Sequence, residues 1–293
     1  MYYILIKVNF PISIIIPIFD EEKRLERGLD RTLQYCIASN WDFEVIVVED
    51  GSTDSSVEIV KKYALQDNRV KLVSLDKRYG KGGFLLKAIH HCNKDNIGFM
   101  DIDLSTDPSE FERLMQYSEE FDIIIGSRIL RGDLGPIKRP TYRSFLSFMY
   151  SLLFKCLFNV KIFDLQCGFK LFNRDSILQI ISTVKTNGFA FDTEFLVKSY
   201  LHGLKIKEVP INWHHDFGSK LDIIKTVCNM FNDLVAIWLD VIKIQTTERS
   251  LHKDCFLARP IMFSRFLASK NDILKSMLKT KQSRLVLSKP GTE

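Results

Sequence analysis

The feature that most constrains the fold is a repeated alternation of short apolar runs with segments of helical periodicity. Five apolar runs occur between residues 12 and 128: ISIIIPI, FEVIVVED, VKLVSLD, IGFMDID and FDIIIGSR. Segments with apolar residues at helical spacing follow each of the first four runs. Alternating β and α segments predict an α/β fold, in which helices flank both faces of a mostly parallel sheet.

Polar and glycine-rich segments follow these runs where the predicted strands end. They are Asp20-Glu21, Glu49-Asp50, Lys81-Gly82-Gly83 and the pair Asp101 and Asp103. Parallel strands bring their carboxyl ends to one edge of the sheet, which is where ligands bind in such folds. Four such segments at one edge therefore predict a ligand site rather than separate solvent loops.

Asp101 and Asp103 stand two residues apart at the end of an apolar run, where their like charges repel. This arrangement suits a hard divalent cation that keeps water ligands and bridges to phosphates; two solvated loop acids are the alternative. Asp50 can accept hydrogen bonds from a base or ribose, and Lys81 with Gly82 at a helix N-terminus favours an anion. Together they predict a nucleotide diphosphate with Mg²⁺ or Mn²⁺ on its phosphates.

Length and cysteine usage favour a cytoplasmic protein. The 293 residues are enough for a packed core without disulfides, and the six cysteines include no C-x-x-C pair, so reduced thiols are expected. Pro11 and Pro17 interrupt the apolar N-terminus, which has no basic start and is therefore interpreted as a buried strand, not a signal peptide. No stretch reaches the roughly 18 uninterrupted apolar residues typical of a transmembrane helix.

A set of motifs in a fixed order resembles the family 2 glycosyltransferases of the GT-A (Rossmann-like) fold. The motifs are SIIIPIFDEE, VIVVEDGSTDSS, RYGKGG, MDIDLSTDP, IIGSR, DLQCGFKLF, FDTEF and EVPINW, and they cover about Ser13 to Trp213. The resemblance is greatest to polyprenyl-phosphate sugar synthases, namely dolichyl-phosphate β-glucosyltransferases and dolichol-phosphate mannosyltransferases. DLQCGFK resembles the glucosyl branch and DLSTDP the mannosyl branch, so the sugar stays open.

For the donor, the resemblance implies a nucleotide-sugar pocket and a metal site. The implied pocket residues are Pro17, Phe19, Glu21, Asp50, Lys81, Gly82 and Asp101. Asp101 and Asp103 would hold the metal and count among the catalytic residues. Many family members have Gln as a metal ligand where this chain has Ser105, so the third ligand stays open.

For the acceptor, Arg128 supplies a cation, and the resemblance places the pair Arg143 and Ser147 near a phosphate. An arginine that snorkels at the end of an apolar helix is the alternative for Arg143. A lipid phosphate is largely ionised at neutral pH, so cations must dock it and no base is needed. Lys220 is a further candidate to reach the phosphate, with a simple helix start at Ser219 as the alternative. In relatives that glycosylate hydroxyls, a carboxylate in the region of Asp192 and Glu194 acts as the base; here these two would instead orient the sugar or tie down a loop.

The C-terminal part of the sequence predicts contact with a membrane surface. Residues 142–160 fit either a core helix or an interfacial helix, and apolar spacing predicts an amphipathic, membrane-interfacial helix over 221–248. Residues 249–293 carry ten Lys/Arg against three Asp/Glu, which favours anionic lipid over nucleic acid because no aromatic interleaving accompanies them. The expected organisation is a GT-A catalytic domain over 1–220, that helix, and a basic tail over 249–293, partly helical or disordered.

The resulting hypothesis is a metal-dependent, inverting hexosyltransferase at the cytosolic face of a membrane. It would use UDP-glucose, with GDP-mannose as the second candidate, and a polyprenyl (dolichyl) phosphate acceptor. A separate membrane subunit is a candidate partner. The alternatives are a transferase of the same fold acting on a saccharide hydroxyl with Asp192 or Glu194 as base, and a catalytically degenerate membrane-surface scaffold.

Overall fold

The computed structural model describes residues 9–75, 81–130, 141–158, 160, 162–186, 188, 190–214, 229 and 231–243. Within these ranges the strands are β1 (Pro11–Ile18), β2 (Asp42–Glu49), β3 (Val70–Ser74), β4 (Asn96–Met100), β5 (Ile123–Ser127), β6 (Phe169–Asn173) and β7 (Ile206–Pro210). They form one sheet in the order β3-β2-β1-β4-β6-β5-β7. Strand β6 runs antiparallel to β4 and β5, and the other pairings are parallel.

The helices connect these strands and cover the sheet. They are α1 (Glu22–Ala38), α2 (Ser56–Gln66), α3 (Lys81–Ala88), α4 (Phe111–Met115), α5 (Thr141–Phe158), α6 (Arg174–Ile181), α7 (Phe191–Leu201) and α8 (residues 231–243), with 3₁₀ turns at Ile89–His91 and Pro108–Glu110. On α1, Leu25, Leu29 and Leu33 recur every four residues and are buried, because this spacing places them on one helix face. The predicted α/β fold with a mostly parallel sheet is confirmed.

The isoleucine-rich β1 is an interior strand of this sheet. Ile12, Ile14, Ile15 and Ile16 are fully buried, and the strand pairs with β2 on one side and β4 on the other. A nearly continuous apolar run is typical of a strand covered by helices on both faces. The interpretation of this run as a strand is therefore confirmed.

The antiparallel β6 inserts between β4 and β5 and determines the shape of the functional edge. Phe169, at its start, pairs with Met100, at the end of β4. Consequently the segment that precedes β6 meets the segment that follows β4, and residues from DLQCGFK lie beside Asp101.

Helices occur in the described parts of both predicted segments, 142–160 and 221–248, whereas the predicted membrane contact stays a prediction. On α5, Tyr150, Phe154 and Leu157 are buried, while Met149 and Leu152 are 37% and 44% exposed. On α8, Leu234, Ile237 and Val241 are buried, whereas Val235, which the spacing assigned to the apolar face, is exposed. Residues 215–228, including Lys220, and the tail 249–293 lie outside the described part of the chain. No helix in the described part has the length and apolar character to cross a bilayer.

Candidate active site

The loops after β1 and β2 are bonded to each other at the carboxyl edge of the sheet. The backbone N–H of Asp20 donates to Ser52 Oγ (3.1 Å), and that of Thr53 donates back to Asp20 Oδ1 (2.7 Å). The N–H of Glu21 donates to Ser56 Oγ (2.9 Å). These reciprocal bonds hold Glu21 and Asp50 on neighbouring loops, as the strand-end pattern predicted.

The predicted nucleotide residues occupy the ends of β1, β2 and α3. Pro17 pairs with Val48 in the β1–β2 ladder, and Asp50, only 2% exposed, follows β2 directly. Phe19, partly buried, follows β1. Helix α3 begins at Lys81, so its N-terminus falls where the sequence predicted it, although the Lys81 side chain lies outside the described part.

Asp101 and Asp103 follow β4 in a tightly held loop. The N–H of Ser105 donates to Asp103 Oδ1 (2.9 Å), and Leu104 adopts a left-handed backbone conformation with φ of 56°. The N–H of His214, beyond β7, donates to the carbonyl of Ser105 (2.8 Å). The chain that follows β7 therefore crosses to the acidic pair and fixes its loop.

The electrostatics of this edge favour a bound cation. Burial raises the pKa of Asp103, the N–H of Ser105 opposes this, and the negative charge of Asp101 adds to the rise. Burial likewise raises the pKa of Glu21, against the effect of Arg24, whose guanidinium lies 2.7 Å from Glu21 Oε2. Since neighbouring carboxylates disfavour each other's ionised form, a divalent cation between Asp101 and Asp103 would relieve the repulsion.

The donor set fits a metal that takes most of its ligands from elsewhere. Among the described residues, no group of three or more His, Cys, Asp or Glu side chains could hold a metal ion. Two carboxylates alone fit Mg²⁺ or Mn²⁺, since such hard ions are commonly completed by phosphate oxygens and water.

A cavity of about 390 Å³ opens beside Asp103, and its lining contains basic residues that the sequence analysis missed. Its lining residues are Lys23, Arg24, Arg27, Ile102, Asp103, Leu104, Ser105 and His214. The signal was present as E-E-K-R-x-x-R directly after a strand end. Basic side chains from the first turns of α1 supply positive charge opposite the acidic loop.

Arg128, expected to dock the acceptor, is held by a buried carboxylate. Its Nε and Nη2 donate to Asp164 Oδ2 (2.8 Å) and Oδ1 (2.7 Å). The pKa of Asp164, which burial would raise, is lowered by the Arg128 charge. Glu208 on β7 accepts the N–H of Asp164 (2.7 Å) and the hydroxyl of Ser127 (2.9 Å). Asp164 and Glu208 were not predicted, and they restrict Arg128 to one orientation.

Asp192 and Glu194, the two carboxylates of FDTEF, are both paired with buried lysines. Lys170 Nζ lies 2.8 Å from Asp192 Oδ1, and Lys198 Nζ lies 2.6 Å from Glu194 Oε1. Glu194 also accepts the N–H of Thr186 (2.7 Å). Glu194 was expected either to orient the sugar or to tie down a loop. Its contact with Thr186 favours the second role.

For two other residues predicted to bind the acceptor, only the position along the helix is described. Arg143 and Ser147 lie in the first two turns of α5, and their side chains lie outside the described part.

The α/β sheet with its acidic loop has the GT-A fold that the sequence predicted. The fold matches that of glucosyl-3-phosphoglycerate synthase from Mycobacterium tuberculosis, solved in complex with Mn²⁺, UDP and phosphoglyceric acid. The match has a TM-score of 0.61 at 18% identity and covers 79% of this chain and 80% of that one. At this identity the likeness concerns the fold alone.

The chain belongs to glycosyl transferase family 2, whose family model matches residues 13–181. A dolichyl-phosphate β-glucosyltransferase from Dictyostelium discoideum is 32% identical over 244 residues, covering 78% of this chain and 74% of the relative. Glycosyltransferase AglD from Haloferax volcanii is 31% identical over 232 residues, 78% of this chain but only 37% of the relative. The protein is thus a glycosyltransferase, as the order of motifs predicted.

Proposed function

We propose that the protein transfers a hexose, with inversion, from a nucleotide diphosphate sugar to a polyprenyl phosphate. The observation that carries this choice of acceptor is the pairing of Asp192 with Lys170 and of Glu194 with Lys198. A carboxylate that already neutralises a buried ammonium is a poor general base, because proton uptake would leave the ammonium unpaired. A phosphate acceptor needs no such base.

The sugar donor would lie across the loops that follow β1, β2 and β4. Asp50 would accept from the base or ribose, beside Pro17, Phe19 and Glu21, with Lys81 and Gly82 at the start of α3. UDP-glucose is the favoured donor, since the Dictyostelium relative is named as a glucosyltransferase and the mycobacterial structure contains UDP. GDP-mannose is the second candidate.

Asp101 and Asp103 would hold Mg²⁺ or Mn²⁺. The ion would stabilise the charge that develops on the departing nucleoside diphosphate. Lys23, Arg24 and Arg27 line the same side of the acidic loop and would add positive charge near the diphosphate.

Arg128, with Arg143, Ser147 and Lys220, would bind the acceptor phosphate. An anionic oxygen of the acceptor phosphate attacks the anomeric carbon of the sugar from the face opposite the diphosphate. The bond from that carbon to the diphosphate oxygen breaks, and its electron pair leaves with the nucleoside diphosphate. The guanidinium of Arg128 is held in place by Asp164, so it needs no reorganisation when the phosphate arrives.

The acceptor lipid would be reached from the cytosolic face of a membrane. Met149 and Leu152 on α5 are exposed apolar side chains, and the basic tail over 249–293 would be attracted to anionic headgroups. A membrane-embedded partner subunit is compatible with this placement and forms part of the proposal.

The first test is thermal stabilisation of the purified protein by UDP-glucose and by GDP-mannose, each with Mn²⁺ and with EDTA. Ligand binding raises the unfolding temperature. A rise that occurs with only one of the two donors, and only with Mn²⁺, would identify the nucleotide. Asp103→Asn should abolish the metal-dependent shift. Asp95→Asn, which removes the same charge from an exposed residue before β4, should keep it. No shift with either donor would contradict the proposal and support the scaffold alternative.

The second test identifies the acceptor. Radiolabelled sugar should pass to dolichyl phosphate but not to free dolichol or to an oligosaccharide. Glu194→Gln should retain transfer to the lipid phosphate. Complete loss of turnover in both Asp192→Asn and Glu194→Gln, at unchanged donor binding, would instead favour a hydroxyl acceptor and a carboxylate base.

A further inference from the structure

Gly168 makes an unusually close approach to the acidic loop. A Cβ atom built on this glycine would lie 1.8 Å from Asp101 Oδ2 and 2.6 Å from its Cγ. The third nearest atom, Oδ1 at 3.0 Å, also belongs to Asp101. Since Gly168 has no left-handed backbone conformation that would require glycine, the position demands space for the Asp101 carboxylate.

A buried lysine holds the turn that carries this glycine. Lys170 is 1% exposed, and its Nζ donates to the carbonyl of Cys167 (2.6 Å) and to Asp192 Oδ1 (2.8 Å). The β4–β6 pairing brings the residue after Gly168 alongside Met100, the residue before Asp101. A continuous chain of contacts therefore runs from Asp192 through Lys170 and the Cys167–Gly168 peptide to Asp101.

A second buried lysine of similar chemistry provides a natural control. Lys198 is 3% exposed, lies 2.6 Å from Glu194 Oε1 and donates to the carbonyl of Thr183. Its printed contacts are with Glu194 on α7, with the segment after α6 and with Asp240 on α8 (3.6 Å), and none of these lies in the acidic loop. Both lysines are buried, pair with a carboxylate and donate to a backbone carbonyl. They differ because the segment held by Lys170 contacts Asp101, whereas the segment held by Lys198 does not.

We propose that Gly168 and Lys170 are positioning residues that seat the Asp101 carboxylate for metal binding, with Asp192 as the counter-ion of Lys170. The inference rests on the proposed function in so far as Asp101 is a metal ligand. It gives Asp192 a role that needs no proton transfer. Burying an ammonium costs free energy unless it is paired, so Lys170 is stabilised here by both of its acceptors.

The test measures Mn²⁺ binding in the presence of UDP. Electron paramagnetic resonance detects the bound ion in the full-length protein and in four variants. Gly168→Ala and Lys170→Met should each weaken Mn²⁺ binding about tenfold or more, the loss typical of removing a group that orients a metal ligand. Lys170→Arg, which keeps the charge, should recover part of the affinity. Lys198→Met should bind Mn²⁺ as the wild type does, although it also loses stability.

Each result decides between the proposals. If wild type binds Mn²⁺ and Gly168→Ala binds it equally well, the positioning role is wrong while the proposed function stands. If the wild-type protein with UDP binds no more Mn²⁺ than UDP alone does, both proposals fail. Should Gly168→Ala not fold, as judged by circular dichroism, the two methionine variants still decide: equal Mn²⁺ affinities in Lys170→Met and Lys198→Met overturn the inference.

Discussion

The two sides of the functional edge are held together by different chemistry. On the β1–β2 side, Asp20 and Ser56 accept backbone N–H groups of the neighbouring loop. On the β6–β5 side, the pairs Arg128–Asp164 and Lys170–Asp192 join oppositely charged side chains in the interior. A neutral hydrogen bond between loops contributes about 1 kcal/mol to stability. Removing one partner of a buried ion pair costs more, because it leaves the other charge buried and unpaired. Under the proposed function, the loops after β1, β2 and β4 form the donor side, and the segments around Arg128 and Lys170 form the acceptor side. The donor side should therefore tolerate substitution, and the acceptor side should not.

The largest effect is expected from breaking the Arg128–Asp164 pair. Asp164→Asn leaves the guanidinium mostly buried without a counter-charge, and should lower the free energy of unfolding by about 3–5 kcal/mol at neutral pH. Urea unfolding followed by circular dichroism measures this. Asp54→Asn, on the donor side, should lose less than about 1 kcal/mol, since its carboxylate accepts only from uncharged donors, the N–H groups of Glu22 and Ser56 and the Ser56 hydroxyl. Similar losses in both variants would contradict the comparison.

A second, smaller effect should depend on pH. The pKa of Glu194, which burial would raise, is lowered by Lys198 below its usual 4.5. Its contribution is therefore complete above about pH 4.5 and is lost as the pH falls through the lower folded-state pKa. In Glu194→Gln, Lys198 keeps a second carboxylate, Asp240, at 3.6 Å and is not left without a counter-charge. The loss should therefore be about 2 kcal/mol at pH 7, less than in Asp164→Asn.

Urea unfolding at several pH values between 7 and 3 tests this dependence. The difference in unfolding free energy between wild type and Glu194→Gln should be constant above pH 4.5 and should decrease below it. A gap that widens in acid would mean that the folded-state pKa of Glu194 is raised, contrary to its contacts with Lys198 and Thr186.

The donor side was largely predictable from sequence because its signals are local. Apolar periodicity located the ends of β1, β2 and β4, and parallel topology then brought Glu21, Asp50 and Asp101 to one edge. Each of these residues directly follows or lies within a few positions of its own strand. No pairing between distant segments had to be inferred.

The acceptor side was not predictable in the same way because it depends on where β6 inserts. The motif DLQCGFKLF was noticed, but its antiparallel pairing with β4 is a long-range contact that no periodicity encodes. One local signal existed: Lys170 is the single charged residue of β6 (FKLFN), and a buried charge requires a partner. Glu208 gave no such signal, because Lys207 stands beside it in β7 (IKEVP). The identity of those partners, Asp192 for the lysine and the Ser127–Asp164 segments for the glutamate, follows from the fold alone.

On the donor side, removing one loop bond should have a modest effect. Ser56 is fully buried and its Oγ accepts the N–H of Glu21, so Ser56→Ala should cost about 1 kcal/mol of unfolding free energy. Ser55→Ala is the matched control, because Ser55 is exposed and its side chain makes no capping hydrogen bond to α2. A loss in Ser56→Ala as large as that in Asp164→Asn would show that the donor loops are as sensitive as the buried pairs.

The smallest effect is expected at Asp20, whose backbone is left-handed with φ of 52°. Asn adopts this conformation readily and its amide oxygen can still accept the N–H of Thr53, so Asp20→Asn should change stability by less than about 0.5 kcal/mol. Asp20→Ala loses the acceptor and carries the steric cost of a left-handed residue, about 1–2 kcal/mol. Urea unfolding of the two variants separates these terms. If Asp20→Asn proved as costly as Asp20→Ala, the ionised carboxylate itself would be required, and the donor side would depend on charge as the acceptor side does.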